Sequence, residues 1–239
     1  WERGLGTCHN CDTSFQLHTY QRKGASERVY VRPEASDQYK DVSSNVETWF
    51  GTRGISKQTL QELQVTEGSE WMPQTSKTEN TIQFNYFMGD QLINIKYRDG
   101  RKNFKLYKGA EKVFYNINSI IGYEECVIVE GEMDVLALHE AGVKNVISVP
   151  NGATLNSNNL DYLDNCIDYF EDKTKIILAV DADEPGQALK QEFIRRLGAE
   201  VCYTVDFAGC KDANDYLIEH SADMLRSAIH AAKQVPLEG

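Results

Sequence analysis

Hydrophobic and polar residues alternate along residues 81–107 with the two-residue period of β-strands. Three alternating segments, 81–87, 91–98 and 102–107, are separated by the turn sequences Met88-Gly-Asp and Asp99-Gly. This pattern predicts an antiparallel meander. Ahead of it, Ser56 stands at a helix N-cap position, with Leu60 and Leu63 spaced to face inward. The segment from residue 42 onward therefore predicts a small turn-helix unit.

From residue 124 the pattern changes to short apolar runs that alternate with helical segments. The predicted strands are 126–130, 145–149, 175–181 and 200–205, and the predicted helices are 133–141, 158–170, 185–197, 212–219 and 222–233. Such alternation is typical of a parallel sheet with helical crossovers. The predicted fold class is α/β, a parallel-sheet domain over 121–239 preceded by a small basic α+β subdomain with an antiparallel meander over 41–120.

Composition fits a folded chain of one or two domains. Of 239 residues, 41% are hydrophobic and 26% are charged, which excludes general disorder. The longest apolar runs are too short to span a bilayer, so we expect no membrane association and a cytoplasmic location. The net charge of −11 argues against a protein that coats nucleic acid with its whole surface. Residues 1–123 nevertheless carry a net +2 and residues 124–239 a net −13.

Six cysteines fall into two groups. Cys8 and Cys11 are two residues apart, the spacing of one knuckle of a zinc ribbon, whereas the other four predict interior thiols in a reducing compartment. The second knuckle would have to precede Trp1, so residues 1–40 are interpreted as a zinc-ribbon remnant and linker of a longer protein. Zn²⁺ is therefore expected only in that longer protein, and an orphaned remnant without metal is the alternative.

Acidic residues follow two of the predicted strands directly. Glu130 ends the first strand before Gly131, and Asp181 and Asp183 end the third. Because ligands bind at the carboxyl ends of parallel strands, these three side chains are predicted to converge if the two strands are neighbours. Clustered carboxylates require a cation, and oxygen ligands favour Mg²⁺ or Mn²⁺. The competing interpretation of the aspartate pair is a turn with a helix N-cap.

Further acids surround these positions. Asp212 follows the fourth strand and is either an additional ligand or a helix N-cap. Asp134 has two interpretations, a supporting role in the site and a solvated acid at a helix start. Glu132 and Glu184 are expected to be solvated acids at helix starts.

A basic patch lies on the second and third strands of the meander. Residues 92–113 carry a net +5, and the candidates for binding a nucleotide or a template strand are Lys96, Arg98, Lys102 and Lys105. Their near-alternate positions predict that several share a face and bind phosphates. A solvated strand face is the alternative. The aromatic residues that alternate with these basic residues have two interpretations, stacking on bases and packing in the core.

The sequences Glu130-Gly-Glu-Met-Asp134, Asp181-Ala-Asp183-Glu-Pro-Gly and Lys211-Asp-Ala-Asn resemble the Toprim domain of primases, topoisomerases and some nucleases, over about residues 120–220. The run from Tyr97 to Lys105 resembles the basic subdomain of primases, especially the primase half of bacteriophage-type primase-helicases. The resemblance implies that Glu130 is an acid near the reacting groups, that Asp181 and Asp183 are metal ligands, and that Asp212 is an additional acid.

The function implied by this resemblance is that of a DNA primase catalytic core. It would synthesise short RNA primers on single-stranded DNA from nucleoside triphosphates, with Mg²⁺ or Mn²⁺, beside a helicase domain or protein. No Walker A motif occurs in the chain, so the helicase would lie elsewhere, and the isolated fragment is expected to be weakly active or inactive. The rivals are a Toprim-type nuclease and a non-catalytic module that binds single-stranded DNA; a topoisomerase would need a tyrosine domain for which the chain is too short.

Overall fold

The computed structural model describes residues 5–7, 14–16, 29–34, 41–152 and 160–236. The chain divides into two compact units, Trp1–Tyr30 and Val31–Gly239. In the first unit, strand β1 (Leu5–Thr7) pairs antiparallel with β2 (Ser14–Gln16). Cys8 and Cys11, the predicted zinc ligands, lie outside the described residues.

Two short helices lie at the start of the described range 41–152. Helix α1 (Ser44–Gly51) and helix α2 (Lys57–Glu62) are joined by a turn in which Gly54 has a left-handed φ of 75°. The Ser56 hydroxyl accepts a hydrogen bond from the backbone amide of Thr59, as an N-cap does. The predicted turn-helix unit is confirmed.

An antiparallel sheet follows, with the strand order β3-β4-β5-β6. Its strands are β3 (Thr66–Met72), β4 (Lys77–Met88), β5 (Gln91–Asp99) and β6 (Phe104–Leu106). The three predicted strands are confirmed. The sequence did not indicate β3, because most of its residues are polar and the period of two is weak.

A second sheet has the order β11-β10-β9-β7-β8. Its strands are β7 (Glu125–Val129), β8 (Val146–Ser148), β9 (Lys175–Leu178), β10 (Cys202–Thr204) and β11 (Lys233–Gln234). The first four are parallel, as predicted, and β7 is the direct neighbour of β9. The antiparallel edge strand β11 was not predicted, since two residues carry no readable pattern.

Helices cover the parallel sheet at nearly the predicted positions. They are α3 (Glu132–Glu140), α4 (Asp161–Asn165), α5 (Glu184–Leu197), α6 (Ala213–Glu219) and α7 (Ala222–His230), with 3-10 helices at Ile117–Ile120 and Ile167–Phe170. The prediction of one helix over 158–170 was wrong, because α4 ends at Asn165 and a 3-10 turn follows. Likewise, α7 ends at His230 and does not continue to 233.

The larger of two hydrophobic clusters joins the helical pair, one face of the antiparallel sheet and the parallel sheet. It includes Phe50 from α1, Phe84 from β4 and Ile128 from β7. The four later cysteines are buried free thiols, as predicted. Within the described ranges, no helix has both the length and the apolar character needed to cross a membrane.

Candidate metal-dependent active site

The parallel sheet brings Glu130 and Asp181 together at its carboxyl edge. Strands β7 and β9 are hydrogen-bonded neighbours in the register Ile128 to Leu178, and each acid follows its strand within three residues. The backbone amide of Asp181 donates a hydrogen bond to Glu130 Oε1 over 3.0 Å. The two acids that the sequence placed on separate strands therefore lie side by side.

Gly186 permits the close approach of α5 to these two acids. A Cβ atom at this position would lie 2.2 Å from the carbonyl oxygen of Asp181 and 2.5 Å from Glu130 Oε1. No side chain fits at such distances, because the nearest obstacle is backbone. The glycine thus allows the amino end of α5 to pack directly against the acidic edge.

Asp183 and Asp212 are helix N-caps. The Asp183 Oδ1 accepts a hydrogen bond from the Gly186 amide over 3.0 Å at the start of α5, and the Asp212 Oδ1 accepts one from the Asp215 amide over 2.8 Å at the start of α6. The capping interpretation is correct for both residues. Because each cap uses one carboxylate oxygen, capping fixes the side chain and is compatible with a second interaction through Oδ2.

Asp134, in the first turn of α3, is a buried member of the same cluster. It accepts a hydrogen bond from the backbone amide of Asn214 over 3.1 Å. Burial raises its pKa well above the usual range, and the negative charges of Asp212, Asp181 and Glu130 raise it further. The expectation of a supporting role is thus favoured over that of a solvated acid.

Lys211 supplies the cluster with one positive charge. Its Nζ lies 3.4 Å from Asp181 Oδ2. Burial raises the pKa of Asp181, and the Lys211 charge opposes that increase. In turn, Asp181 raises the pKa of Lys211. One exposed lysine faces several acids, so the cluster retains an excess of negative charge.

The donor chemistry of this cluster suits a hard divalent cation, although no three of its described carboxylates bring oxygens within 4.8 Å of one another. Glu130, Asp134, Asp181, Asp183 and Asp212 offer carboxylate oxygens, and the pKa of Asp134 is raised by its acidic neighbours. Oxygen ligands of this kind suit Mg²⁺ and Mn²⁺ better than Zn²⁺. A bound divalent ion would relieve the repulsion among these groups.

The raised pKa of Asp134 predicts a pH-dependent stability. The folded state binds this proton more tightly than the unfolded state, so metal-free stability falls as pH rises from the unfolded pKa through the folded one. We expect Asp134→Asn to unfold like the wild type near pH 4, and to be more stable than the wild type at pH 8 in EDTA. Urea denaturation at both pH values measures this difference.

Adding Mn²⁺ at pH 8 should then stabilise the wild type more than Asp134→Asn, because the ion replaces the lost proton. If the wild type and Asp134→Asn differ in unfolding free energy by the same amount at both pH values, the raised pKa of Asp134 is contradicted.

Glu132, at the start of α3, is in a buried ion pair. Both of its carboxylate oxygens accept hydrogen bonds from Lys96 Nζ on β5 over 2.9 Å, and the Tyr86 hydroxyl also donates to it. Only 3% of Glu132 is exposed. The expectation of a solvated acid was therefore wrong, because the antiparallel sheet covers the first turn of α3.

The four basic candidates do not share one face. Register places Lys96 and Arg98 on one face of β5, whereas Lys105 on β6 is opposite Tyr97 and therefore on the other face. Lys105 bonds to Glu70 over 2.6 Å. Lys102 is exposed and has a left-handed φ of 66° in the turn between the strands. With Lys96 engaged by Glu132, Arg98 is the candidate best placed to present a charge from this face.

Arg98 forms a guanidinium pair with Arg53 around Trp49. The guanidinium carbons of Arg98 and Arg53 each lie 4.5 Å from the centroid of the Trp49 ring. Burial and the Arg53 charge lower the pKa of Arg98. Phe104, 38% exposed, lies beside Arg98. Within the part of the chain that the structure describes, the buried Nε of Arg53 has no hydrogen-bond partner.

Asn214 connects the acidic cluster to the backbone of the segment that carries Arg53. Its backbone amide bonds to Asp134, and its side-chain amide donates to the Arg53 carbonyl oxygen over 3.0 Å. Sequence reasoning did not place Trp49 or Arg53 in the site. Their four-residue spacing gave no reliable signal, because Trp49 is on α1 but Arg53 lies in the turn that follows it.

Residues 127–217 match the family model described as Toprim-like. The matched range contains all the residues of the acidic cluster and the strands that position them. It corresponds to the parallel-sheet part of the second unit.

Two curated relatives from Arabidopsis thaliana extend the similarity to nearly the whole chain. A "Primase homolog protein" is 34% identical over 235 residues, which cover 91% of this chain and 66% of the relative. A "Twinkle homolog protein, chloroplastic/mitochondrial" is 32% identical over 93% of this chain and 32% of its own length. The chain thus spans less than two thirds of the length of these relatives.

Solved structures show the same fold at lower identity. The primase fragment of the bacteriophage T7 primase-helicase superposes with a TM-score of 0.64 and 23% identity, covering 93% of this chain and 89% of that one. T7 primase domains in a lagging-strand polymerase complex, bound to an RNA/DNA hybrid and dTTP, superpose with a TM-score of 0.65 and 24% identity, covering 77% of this chain and 91% of that one. These structures show the shared fold, and the Toprim-like match together with the 34%-identical primase homolog identifies this chain as a Toprim-domain protein that resembles primases.

Proposed function

We propose that this chain is the catalytic core of a DNA primase that joins ribonucleotides into short primers on single-stranded DNA. The observation that carries the proposal is the carboxylate cluster at the edge of the parallel sheet, which Asn214 connects to the segment that carries Arg53. A nucleotidyl transferase needs cations for the triphosphate and template phosphates, and carboxylates for the metal at the reacting phosphorus.

Glu130, Asp181 and Asp183 would hold Mg²⁺ or Mn²⁺, with Asp212 as an additional acid. When bound, the ion neutralises charge on the phosphate oxygens. The protein's part is to fix these ligands: the Asp181 amide orients Glu130, and the two helix caps orient Asp183 and Asp212. Side chains held in this way need less reorganisation during the reaction.

Arg98 and Arg53 would bind phosphate groups. Two guanidinium ions on one indole ring repel each other, and an anion between them would remove that repulsion. The buried, unpartnered Nε of Arg53 would gain an acceptor. The exposed ring of Phe104 offers a surface for a base. Lys102 would contact the template from the turn, and Lys105, paired with Glu70, would lie on the other side of the sheet.

The proposed partners are a single-stranded DNA template, nucleoside triphosphates, the RNA primer, and a helicase supplied by the longer protein or by another chain. The support comes from the Toprim-like match and from the similarity to primase domains whose structure holds an RNA/DNA hybrid and dTTP.

Calorimetric titration of ATP into this chain tests the proposal. We expect binding in Mn²⁺ that is lost in EDTA. Arg98→Gln should weaken the binding by about 10-fold or more, because a charge-assisted phosphate contact is lost. Lys77→Gln, which removes an exposed charge at the start of β4, is the matched control and should bind like the wild type.

If no ATP binds in Mn²⁺, the polymerising function is excluded. Metal-dependent cleavage of DNA under those conditions would instead favour a nuclease, and metal-independent binding of single-stranded DNA would favour a binding module.

A further inference from the structure

Three metal-ligating side chains meet outside the acidic cluster, at the carboxyl end of α6. Cys210 lies in the loop after β10, Glu219 is the last residue of α6, and His220 is its C-cap. The Cys210 thiol donates to Glu219 Oε2 over 3.4 Å, and its Sγ lies 3.9 Å from His220 Nε2. One ligand atom from each residue lies within 4.8 Å of the other two.

We propose that Cys210, Glu219 and His220 form a second metal site, which binds Zn²⁺ or an ion of similar softness. In a tetrahedral zinc site with a Zn–S bond of about 2.3 Å and Zn–N or Zn–O bonds of about 2.0 Å, the sulfur lies about 3.5 Å from the other ligands. The observed separations of 3.4 and 3.9 Å differ from this value by a few tenths of an ångström. An ion therefore fits with small adjustments of side chains.

The donor set distinguishes this site from the carboxylate cluster. Thiolate and imidazole ligands favour Zn²⁺ over Mg²⁺. On binding, the Cys210 thiol forms a sulfur–metal bond and releases its proton to solvent. The buried thiol forms the floor of the site, while Glu219 and His220 are exposed, which leaves the fourth coordination position open to water.

Ring packing restricts one of these ligands, and chain position links another to the carboxylate cluster. The Tyr216 ring packs 4.3 Å from the His220 ring, and both residues belong to the same helical end. Cys210 precedes Lys211 and Asp212 by one and two residues. A bound ion would therefore tie the loop that carries Lys211 and Asp212 to the far end of α6, and would stabilise the segment without entering the reaction.

Titration of the chain with Co²⁺ tests this site, because a thiolate bound to Co²⁺ gives a charge-transfer absorption. The background protein carries Cys8→Ser and Cys11→Ser, so that thiols of the amino-terminal segment contribute no signal. We expect the absorption to saturate at one ion per chain in this background. It should disappear with Cys210→Ser and persist with Cys166→Ser, which removes a buried thiol elsewhere.

Variants of the two exposed ligands separate metal binding from folding. His220→Gln and Glu219→Gln should keep the circular dichroism spectrum and weaken Co²⁺ binding by at least about 10-fold. Zn²⁺ should raise the Tm of the background protein more than that of Cys210→Ser, which keeps only the carboxylate cluster. The proposal is overturned if the folded background protein gives no thiolate–Co²⁺ absorption, or if the absorption survives Cys210→Ser. ATP binding is read separately, so either proposal can fail alone.

Discussion

Replacing Asp181 by Asn is expected to lower primer synthesis by about 10³-fold or more. Asp181 follows the strand next to the one that ends in Glu130, and its amide orients the Glu130 carboxylate. The asparagine retains the shape and the backbone contact but removes the charge that holds a divalent ion. The change therefore tests the charge rather than the fold.

The measurement is ribonucleotide incorporation on single-stranded DNA by the longer protein that contains this chain. Asp168→Asn is the matched control, since Asp168 is exposed on the 3-10 helix Ile167–Phe170. It should leave synthesis unchanged. Because the cluster is a source of repulsion, Asp181→Asn should unfold at an equal or higher urea concentration than the wild type. Undiminished synthesis by a folded Asp181→Asn protein would refute the proposed metal role.

Breaking the Lys96–Glu132 pair is expected to cost about 3–5 kcal/mol of unfolding free energy, whichever partner is removed. Each single change, Lys96→Met or Glu132→Gln, leaves the other partner buried without its counterpart. The Tyr86 hydroxyl would retain an acceptor in Glu132→Gln but would not replace the lost ion pair. Such a loss is a large part of the stability of a typical domain.

The double variant distinguishes a paired charge from simple packing. Lys96→Met with Glu132→Gln should cost less than the sum of the single changes, because neither charge remains without a counterpart. Arg195→Met is the control, since Arg195 pairs with Glu192 but its side chain is 67% exposed, and its loss should cost at most about 1 kcal/mol. Additive single effects in urea denaturation would show that the two residues act independently.

The Lys96–Glu132 ion pair also affects the carboxylate cluster. Glu132 and Asp134 lie in the same turn of α3, and Lys96 anchors that turn to β5. The antiparallel sheet thus stabilises the position of an acid that belongs to the parallel-sheet part.

Local sequence was sufficient to predict the helices and strands whose hydrophobic pattern repeats over several residues. The alternation in β4 and β5, the cap at Ser56 and the four apolar strands each depend on neighbours in the chain. It was insufficient for β3 and β11, where pairing to an adjacent strand supplies what the residues themselves do not indicate.

The sequence by itself determined the family resemblance, the strand ends that carry Glu130, Asp181 and Asp183, and the oxygen character of the expected metal site. Tertiary structure alone decided which charges meet. Lys96 and Glu132 are 36 residues apart and Arg53 and Asn214 are 161 apart, and both pairs depend on how the sheet and helices pack. A period of two places side chains on alternate faces of a strand, but only strand register and packing decide what each face covers.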